Sequence, residues 1–277
     1  MMKKVCTVAM LAIVTAGTYQ AQAQLKLNTK SIGAAEKGLA AATYSNADAA
    51  RDAKTAVKWM DEHNPVAGPK DPYTIRLNKI FGSHKSENGL ALNYKVYKVV
   101  DINAFACADG SVRVFSSLMD ILTDAELLAV IGHEIGHVNN HDSRDAMKAA
   151  LTRSAAADAV SAQSGVAQAL TESQLGALAE AMMDSKHSRK QESEADDFSY
   201  EFMKTHKYDV TAAYTAFMKF ALMEEKFGTE QSKFAKMMNS HPDSKKRAAA
   251  VKKKATADGL WVEPAPVNID KLGLSAK

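Results

Sequence analysis

Residues 133 to 137 read His-Glu-Ile-Gly-His, and they constrain the fold of this chain more than any other stretch. Histidines four residues apart share one face of an α-helix, about one turn from each other. Both imidazoles can therefore bind a single tetrahedral metal ion. Glu134 lies about 100° round the helix from His133, so it faces the same ion without binding it and can take a proton from a nearby water molecule. The pattern predicts a helix that carries part of a zinc hydrolase site.

The flanking sequence supports a helix at this point. Thr123 and Glu126 have the spacing of a capping box, in which two side chains bond the free backbone donors of a helix start. Gly132 and Gly136 each cost about 1 kcal/mol relative to Ala, which indicates that a neighbouring element packs too closely there for a side chain. The alternative is a buried helix whose two histidines only make hydrogen bonds. Apolar residues recur at three- and four-residue spacing, as expected for one buried stripe: Leu127, Leu128, Ile131, Ile135 and Val138.

A catalytic zinc ion needs a third protein ligand and leaves its fourth position to water. The metzincin pattern would place a third histidine at position 143, but Ser143 stands there. His141 continues the four-residue spacing, yet three successive turns of a rigid helix cannot surround one ion. We therefore interpret His141 as a polar residue near the helix end or as a contact to a ligand.

A downstream acidic segment offers the missing ligand. Glu192 and Asp196 share one helix face, so one can bind the metal while the other accepts the free N–H of a ligating histidine. Glu194 points about 200° away from Glu192 on a helix and is a reserve candidate. By itself the segment also fits an acidic, solvated helix start; the incomplete ligand set favours the metal interpretation.

The sequence resembles the family of zinc endopeptidases that includes the CAAX prenyl protease, the heat-shock protease HtpX and periplasmic proteases of the BepA and LoiP type. The likeness covers roughly residues 70 to 250, in order. It implies that Glu192 completes the zinc site, with one Zn²⁺ per chain. It also implies a zincin-type fold and cleavage of peptide bonds in misfolded or membrane-associated proteins. The matching motifs besides the histidine pair are Asn103-Ala104-Phe105-Ala106, Glu126-Leu127, Ser188-Arg189, Glu192-Ser193-Glu194-Ala195-Asp196, and His241-Pro242 with Arg247.

His241 and Arg247 lie where a loop enters a helix. His241 could donate to the developing oxyanion, or it could occupy the open zinc position in a latent state. Arg247 could orient His241 or hold the substrate backbone. The alternative is a histidine at a helix start with no chemical role, followed by a basic, solvated helix face.

The first residues predict export. Lys3 and Lys4 precede an apolar run, and Ala21-Gln22-Ala23 matches a cleavage site, so we expect a signal peptide over residues 1–23 and a periplasmic or secreted protein. Cys107 is then the only thiol of the mature chain, which excludes an intramolecular disulfide. The formal net charge of +3 falls by two without the leader lysines, and no nucleic-acid footprint is visible.

The expected fold class is α+β and mainly helical, with a small β-hairpin or sheet beside the active-site helix. We expect a helical N-terminal arm and linker over residues 24–70, a metallopeptidase domain over 71–257 and a C-terminal tail over 258–277. The arm contains a helix from about Asn46 to Glu62, and everything from Leu118 to about Ala255 is predicted as helix broken by short loops.

The predicted strands run from Leu90 to Asp101 and from Val112 to Phe115, with Asp109-Gly110 favouring a tight hairpin turn. Residues 103–106 (Asn103, Ala104, Phe105, Ala106) are candidates for an exposed sheet edge, or its supporting loop, to which an extended substrate adds as a strand. The alternative is an ordinary surface hairpin with Phe105 in the core.

Residues 151–186 are Ala-rich, with charges at intervals that make a membrane span too costly. We expect water-exposed helices that fold over the cleft, with Gly165 and Gly176 as places where such a lid bends. A plain packed helix pair is the alternative.

The sequence as a whole predicts a zinc-dependent endopeptidase with Glu134 as general base. Its expected partners are unfolded or misfolded polypeptides, in particular envelope proteins, without nucleic acid and without a transmembrane span. The alternative from another class is a periplasmic assembly factor or holdase that grips client strands while its proteolysis stays latent.

Overall fold

The computed structural model describes residues 43–158, 172–228 and 235–272 of the chain. The predicted signal peptide and the bend expected at Gly165 lie outside the described residues, so both stay predictions. Within the described part, helices predominate: α1 (Asn46–His63), α2 (Pro72–Phe81), α3 (Ser116–Ile121), α4 (Asp124–Asn139), α5 (Asp142–Asp158), α6 (Glu172–Asp184), α7 (Arg189–Thr205), α8 (Thr211–Phe227), α9 (Ala235–Ser240), α10 (Ser244–Ala257) and a 3₁₀ turn (Asp270–Leu272).

Five short strands form two sheets in the described residues. One is a two-stranded ribbon of β1 (Ser86–Glu87) and β2 (Leu90–Ala91). The other has the order β3-β5-β4, from β3 (Asn93–Tyr97), β4 (Ala104–Ala106) and β5 (Ser111–Phe115). Strand β3 is parallel to β5, whereas β4 is antiparallel to it and lies at the edge. The α+β, mainly helical class is thereby confirmed.

The predicted hairpin is present between β4 and β5. The Gly110 N–H donates to the Cys107 carbonyl at 2.8 Å, and Gly110 has a positive φ of 83°. A Cβ at Gly110 would lie 1.8 Å from the Ala91 carbonyl oxygen, so only glycine fits this turn. The predicted strand over 90–101 is broken and ends at Tyr97, because the Lys98 N–H donates to the Pro65 carbonyl instead of to the sheet.

Helix α4 is the central element of the core. It begins with the predicted capping box, in which Thr123 Oγ1 accepts from the Glu126 N–H and the Glu126 carboxylate accepts from the Thr123 N–H. Residues 126–138 of α4 are all buried, beneath the sheet on one side and α7 and α8 on the other. The histidine pair therefore lies inside the protein.

The two glycines of α4 allow α7 to approach closely, as predicted. A Cβ at Gly136 would lie 3.0 Å from both the Cα and the carbonyl oxygen of Ala195, which are backbone atoms of α7. At Gly132 it would lie 3.1 Å from Phe202 Cδ1 and 3.2 Å from Ser199 Oγ. Real Cβ atoms seldom come this near to other atoms, so side chains at these positions would push the two helices apart.

Helix α1 packs against α6 and joins the sheet through Asp61. The Asp61 carboxylate accepts hydrogen bonds from Arg113 Nε and Lys95 Nζ, both at 2.8 Å, and from the Tyr97 hydroxyl at 2.8 Å. Burial raises the pKa of Asp61, but these donors outweigh it and hold the pKa below its usual value. The domain boundary near residue 70 stays a prediction.

No helix among the described residues combines the length and apolar character needed to cross a bilayer. The charges along α6 accord with that result, since Glu172, Glu180 and Asp184 recur within its 13 residues.

The α4–α7 contact can be tested with two Gly→Ala substitutions. Gly136→Ala should lower the free energy of unfolding by about 1–3 kcal/mol, because overpacking against the Ala195 backbone exceeds the gain in helix propensity. Gly176→Ala is the matched control, since a Cβ there meets nothing within 4 Å and should stabilise α6 by about 0.5–1 kcal/mol. Urea unfolding of both variants measures the difference; equal shifts of the same sign would contradict the packing argument.

Candidate active site

Helix α4 presents His133 and His137 side by side. Their ring centroids are 4.6 Å apart, and the two Nε2 atoms face each other at 3.0 Å. Only 3% of His133 and 2% of His137 is exposed. Two imidazole nitrogens that point at one buried spot repel each other when both carry lone pairs, so the arrangement requires a proton or a cation between them.

Helix α7 brings Glu192 to the same spot. Its carboxylate oxygens lie 3.5 Å from His133 Nε2 and 3.4 Å from His137 Nε2, and it is 3% exposed. The helix starts with a capping box of Ser188 and Gln191, which places Glu192 one turn inside it. Glu194 instead lies on the exposed side, where it pairs with Lys190.

Each histidine of the pair has its own carboxylate on Nδ1. Asp196 Oδ1 lies 2.8 Å from His133 Nδ1, so the structure brings Asp196 next to the histidine pair. Asp142 Oδ2 lies 2.9 Å from His137 Nδ1, and Asp142 also accepts from Gln191 Nε2 at 2.8 Å. With Nδ1–H donated to a carboxylate, the Nε2 lone pair of each ring is free to bind a metal.

Sequence reasoning missed Asp142. Asp142 follows His137 by five residues, a spacing that does not share a helix face with His137. Helix α4 also ends before it, at Asn139. His141, whose φ of 67° is left-handed, turns the chain so that α5 starts with Asp142 facing back towards the pair. The sequence shows only that Asp142 is a polar residue near a helix end. The left-handed conformation of His141, which positions Asp142, cannot be inferred from residue spacing. Ser143, at the metzincin ligand position, lies 3.4 Å from the Ala106 carbonyl oxygen.

The charges of the site favour a cation. Burial alone would lower the pKa of His137, but hydrogen bonds with Asp142 and Glu192 outweigh it and raise the pKa to about 9. Burial and then the neighbouring Arg247 lower the pKa of His133. Burial would raise the pKa of Glu192, but the surrounding histidines hold it well below its usual range. Carboxylates that favour a proton on His137 favour a metal ion in its place as well.

The donor positions fit a zinc ion. Tetrahedral ligands at about 2.0–2.1 Å from zinc lie about 3.3 Å from one another. The separations among His133, His137 and Glu192 range from 3.0 to 3.5 Å. Glu192 Oε1 faces this group of donors, whereas Oε2 is also engaged by Arg247 Nη1 at 2.7 Å.

His241 lies beside this group of donors. Its Nδ1 atom is 3.0 Å from Glu192 Oε1 and 3.2 Å from His133 Nε2. Together with His133, His137 and Glu192 it forms a buried set whose ligand atoms all lie within 4.8 Å of one another. Glu134 is outside that set, 3.7 Å from His241 Nε2 and 8% exposed. The structure therefore separates four potential ligands from one adjacent carboxylate.

Arg247 contacts the acids of the site. Its Nη1 lies 2.7 Å from Glu192 Oε2, and its Nε and Nη2 donate to Asp196 at 2.8 and 2.6 Å. The guanidinium stacks 4.1 Å from the centre of the Phe217 ring. Burial would lower the pKa of Arg247, but Asp196 outweighs it and raises the pKa, so the side chain stays charged. In this position Arg247 orients Glu192 and Asp196.

His187, which the sequence analysis did not single out, stacks on His137 with ring centroids 3.8 Å apart. Burial and the adjacent His137 lower the pKa of His187 to about 3, so its ring is neutral near pH 7. It lines a cleft of about 650 Å³ between α5 and α6, together with Asp142, Glu180 and Gln191. His187 belongs to no recognisable motif, because it lies in the short segment between α6 and α7.

Residues 103–106, expected at an exposed sheet edge, are each only 2–5% exposed in this structure. Phe105 packs in the core against Tyr97 and Phe115, as the alternative interpretation had it, yet its strand β4 is also the edge of the sheet. Pairing of residues 103 and 107 with β5 directs the backbone groups of Ala104 and Ala106 outwards. The Asn103 side chain donates to the Met183 carbonyl of α6 at 2.9 Å, so α6 lies next to this edge.

Comparisons with known proteins agree with this geometry. The sequence model of peptidase family M48 matches residues 77–255. Metalloprotease YcaL of Escherichia coli (strain K12) is 43% identical over 213 residues, which cover 76% of this chain and 82% of that protein. Metalloprotease LoiP of the same organism is 39% identical over 206 residues, which cover 74% of this chain and 79% of that protein. The matched segment of the family contains every residue of the site, from His133 to Arg247.

Asp142→Asn should weaken zinc binding by about 10- to 100-fold, because a neutral amide no longer supports the His137 ring as a metal ligand. Competition with a chromophoric chelator measures the affinity. Asp145→Asn is the matched control on the same helix, since Asp145 is 59% exposed and pairs with Arg144. Equal affinities for the two variants would show that Asp142 does not support the metal ligand.

Proposed function

Because this chain belongs to peptidase family M48 and is a zinc metallopeptidase, we propose that it is an endopeptidase whose zinc ion is held by His133, His137 and Glu192, with Glu134 as general base. The observation that carries the proposal is the buried group of donors, whose spacing of 3.0–3.5 Å matches the edges of a zinc tetrahedron. Asp196 and Asp142 hold the two imidazoles in the tautomer that a metal requires.

The proposed mechanism divides the work among the residues of the site. Zinc, when bound, acidifies a water molecule and polarises the scissile carbonyl. The Glu134 carboxylate takes the proton of the attacking water and then passes it to the nitrogen of the leaving amine. Glu134 is suited to this role because it is buried beside the ligands without being one of them. Arg247 keeps Asp196 ionised and holds Glu192 and Asp196 in place.

The proposed substrates are extended, unfolded polypeptides. A peptidase acts on polypeptides, and the Ala104 C=O and the Ala106 N–H, which point away from β5, offer main-chain hydrogen bonds that do not depend on side chains. Such recognition suits misfolded proteins of diverse sequence. The export signal predicted over residues 1–23 supports the cell envelope as the place of action, in protein quality control.

His241 and α6 support a latent resting state. His241 Nδ1 lies close enough to the other donors to be the fourth ligand, the position that water must take for catalysis. Helix α6 lies next to the β4 edge through the bond from Asn103 to Met183. Movement of His241 and of α6 as a lid would open the metal and the strand edge to substrate.

Glu134→Gln tests the endopeptidase directly. Loss of the general base should lower the rate of casein cleavage by several orders of magnitude while the zinc content stays equal to that of the wild type, because the substitution leaves all three ligands intact. Cleavage is followed with fluorescent casein and zinc by mass spectrometry. The control is Glu194→Gln, a side chain 47% exposed on α7. Retained cleavage in the Glu134 variant would refute the assignment.

The same assay addresses the holdase alternative. If the wild type and the Glu134→Gln variant both bind unfolded casein and neither cleaves it, an assembly factor is favoured over an endopeptidase.

His241→Ala separates the two roles considered for His241. If His241 occupies the fourth zinc position, its removal should raise casein cleavage at least several-fold, because a larger fraction of molecules is competent. If it donates to the oxyanion, cleavage should fall instead. The control is His63→Ala, an exposed histidine at the end of α1. Lower activity with unchanged zinc would reject the latent state proposed above.

A further inference from the structure

A second group of potential metal ligands lies at the other end of α7. His84, Glu87 and His206 each place a ligand atom within 4.8 Å of the others. Glu192 and His206 are 14 residues apart, which is about 21 Å along a helix. The group is therefore separate from the catalytic ligands, and none of its residues takes part in the mechanism above.

Glu87 is at the centre of this group. Its Oε1 atom lies 3.0 Å from His84 Nδ1 and 3.2 Å from His206 Nε2. These separations are close to the distance of about 3.3 Å between neighbouring ligands of tetrahedral zinc. The two imidazole rings meet edge to face at 86°, with centroids 4.5 Å apart, so both nitrogens can point at one position without a clash of the rings.

The environment of His84 holds its ring in place. Its exposure is 4%, and it packs against Phe81 and Phe202 with centroids 5.8 and 5.0 Å away. Its Nε2 atom lies 2.7 Å from the Tyr208 hydroxyl. In the tautomer whose Nε2–H donates to this hydroxyl, the lone pair of Nδ1 points towards Glu87, which is the arrangement that supports metal-binding histidines.

The charge of Glu87 also needs compensation. Its side chain is only 15% exposed, and among the residues that the structure describes its ion pairs are those with His84 and His206. A partly buried carboxylate without Lys or Arg requires protonated imidazoles or a metal cation nearby. His206 is 33% exposed, which leaves a route for an ion and room for water as the fourth ligand.

We propose that His84, Glu87 and His206 bind a second zinc ion with a structural role. The ion would join β1, which carries Glu87, to the end of α7 at His206. Two nitrogens and one carboxylate oxygen are a donor set that zinc accepts. Helix α7 would then be held by metal ligands near both ends, with Glu192 at one and His206 at the other.

Metal content tests the proposal on the purified protein, loaded with zinc and passed over a chelating resin. Mass spectrometry should find two zinc ions per chain in the wild type and one in both His206→Gln and Glu87→Gln. Glu87→Gln retains the shape of the side chain, so it serves if the histidine variant fails to fold. The matched control, His63→Gln, changes an exposed histidine outside the group and should keep two ions.

A further variant separates this site from the catalytic one. His137→Ala should lose one ion and keep the other, whose binding then depends on His206. The proposal is overturned if the wild type binds one ion that His137→Ala loses and that both His206→Gln and Glu87→Gln retain. That result would mean that His84 and His206 contact only the Glu87 carboxylate and hold no metal ion, and it would leave the proposed endopeptidase untouched.

Discussion

The close approach of α4 and α7 is the contact on which the rest of the site depends. Glu192 can reach the histidine pair only because Gly136 has no side chain where the Ala195 backbone passes. Zinc–ligand distances tolerate changes of about 0.2 Å, whereas an added methyl group would displace the helix by a few tenths of an ångström or more. A stabilising helix former at this position would therefore conflict with metal binding, and two glycines in a buried helix are explained by that conflict.

Charge balance is the second constraint on the interior. Glu134, Glu192, Asp142 and Asp196 all lie near the histidine pair, and Arg247 is the buried cation that faces Glu192 and Asp196. Removing one partner of such a buried ion pair leaves an uncompensated charge, which costs several kcal/mol of stability. A metal ion adds the positive charge that this concentration of carboxylates favours. His241 lies among the same acids, with its Nδ1 atom 3.0 Å from Glu192 Oε1.

Local patterns predicted the elements better than their arrangement. The capping box at Thr123 and the apolar stripe led directly to α4, and the Asp-Gly pair led to the β4–β5 turn. The strand predicted over 90–101 is too long. It ends at Tyr97, since the Lys98 N–H donates to the Pro65 carbonyl. Helix α2 was missed although Asp71 and Pro72 form a typical helix start. Asp142 and His187 were missed because their proximity to the site arises from chain reversals between helices.

What the sequence by itself determined is the placement of His133, Glu134 and His137 on one helix, since the period of 3.6 residues is a local property of the backbone. It also restricted the third ligand to a short acidic segment. Only the tertiary structure decided that Glu192 rather than Glu194 faces the histidines and which carboxylate supports each ring. It also decided that His241 lies among the donors. These contacts join residues far apart in the chain, and they depend on how closely two helices pack, which no local spacing encodes.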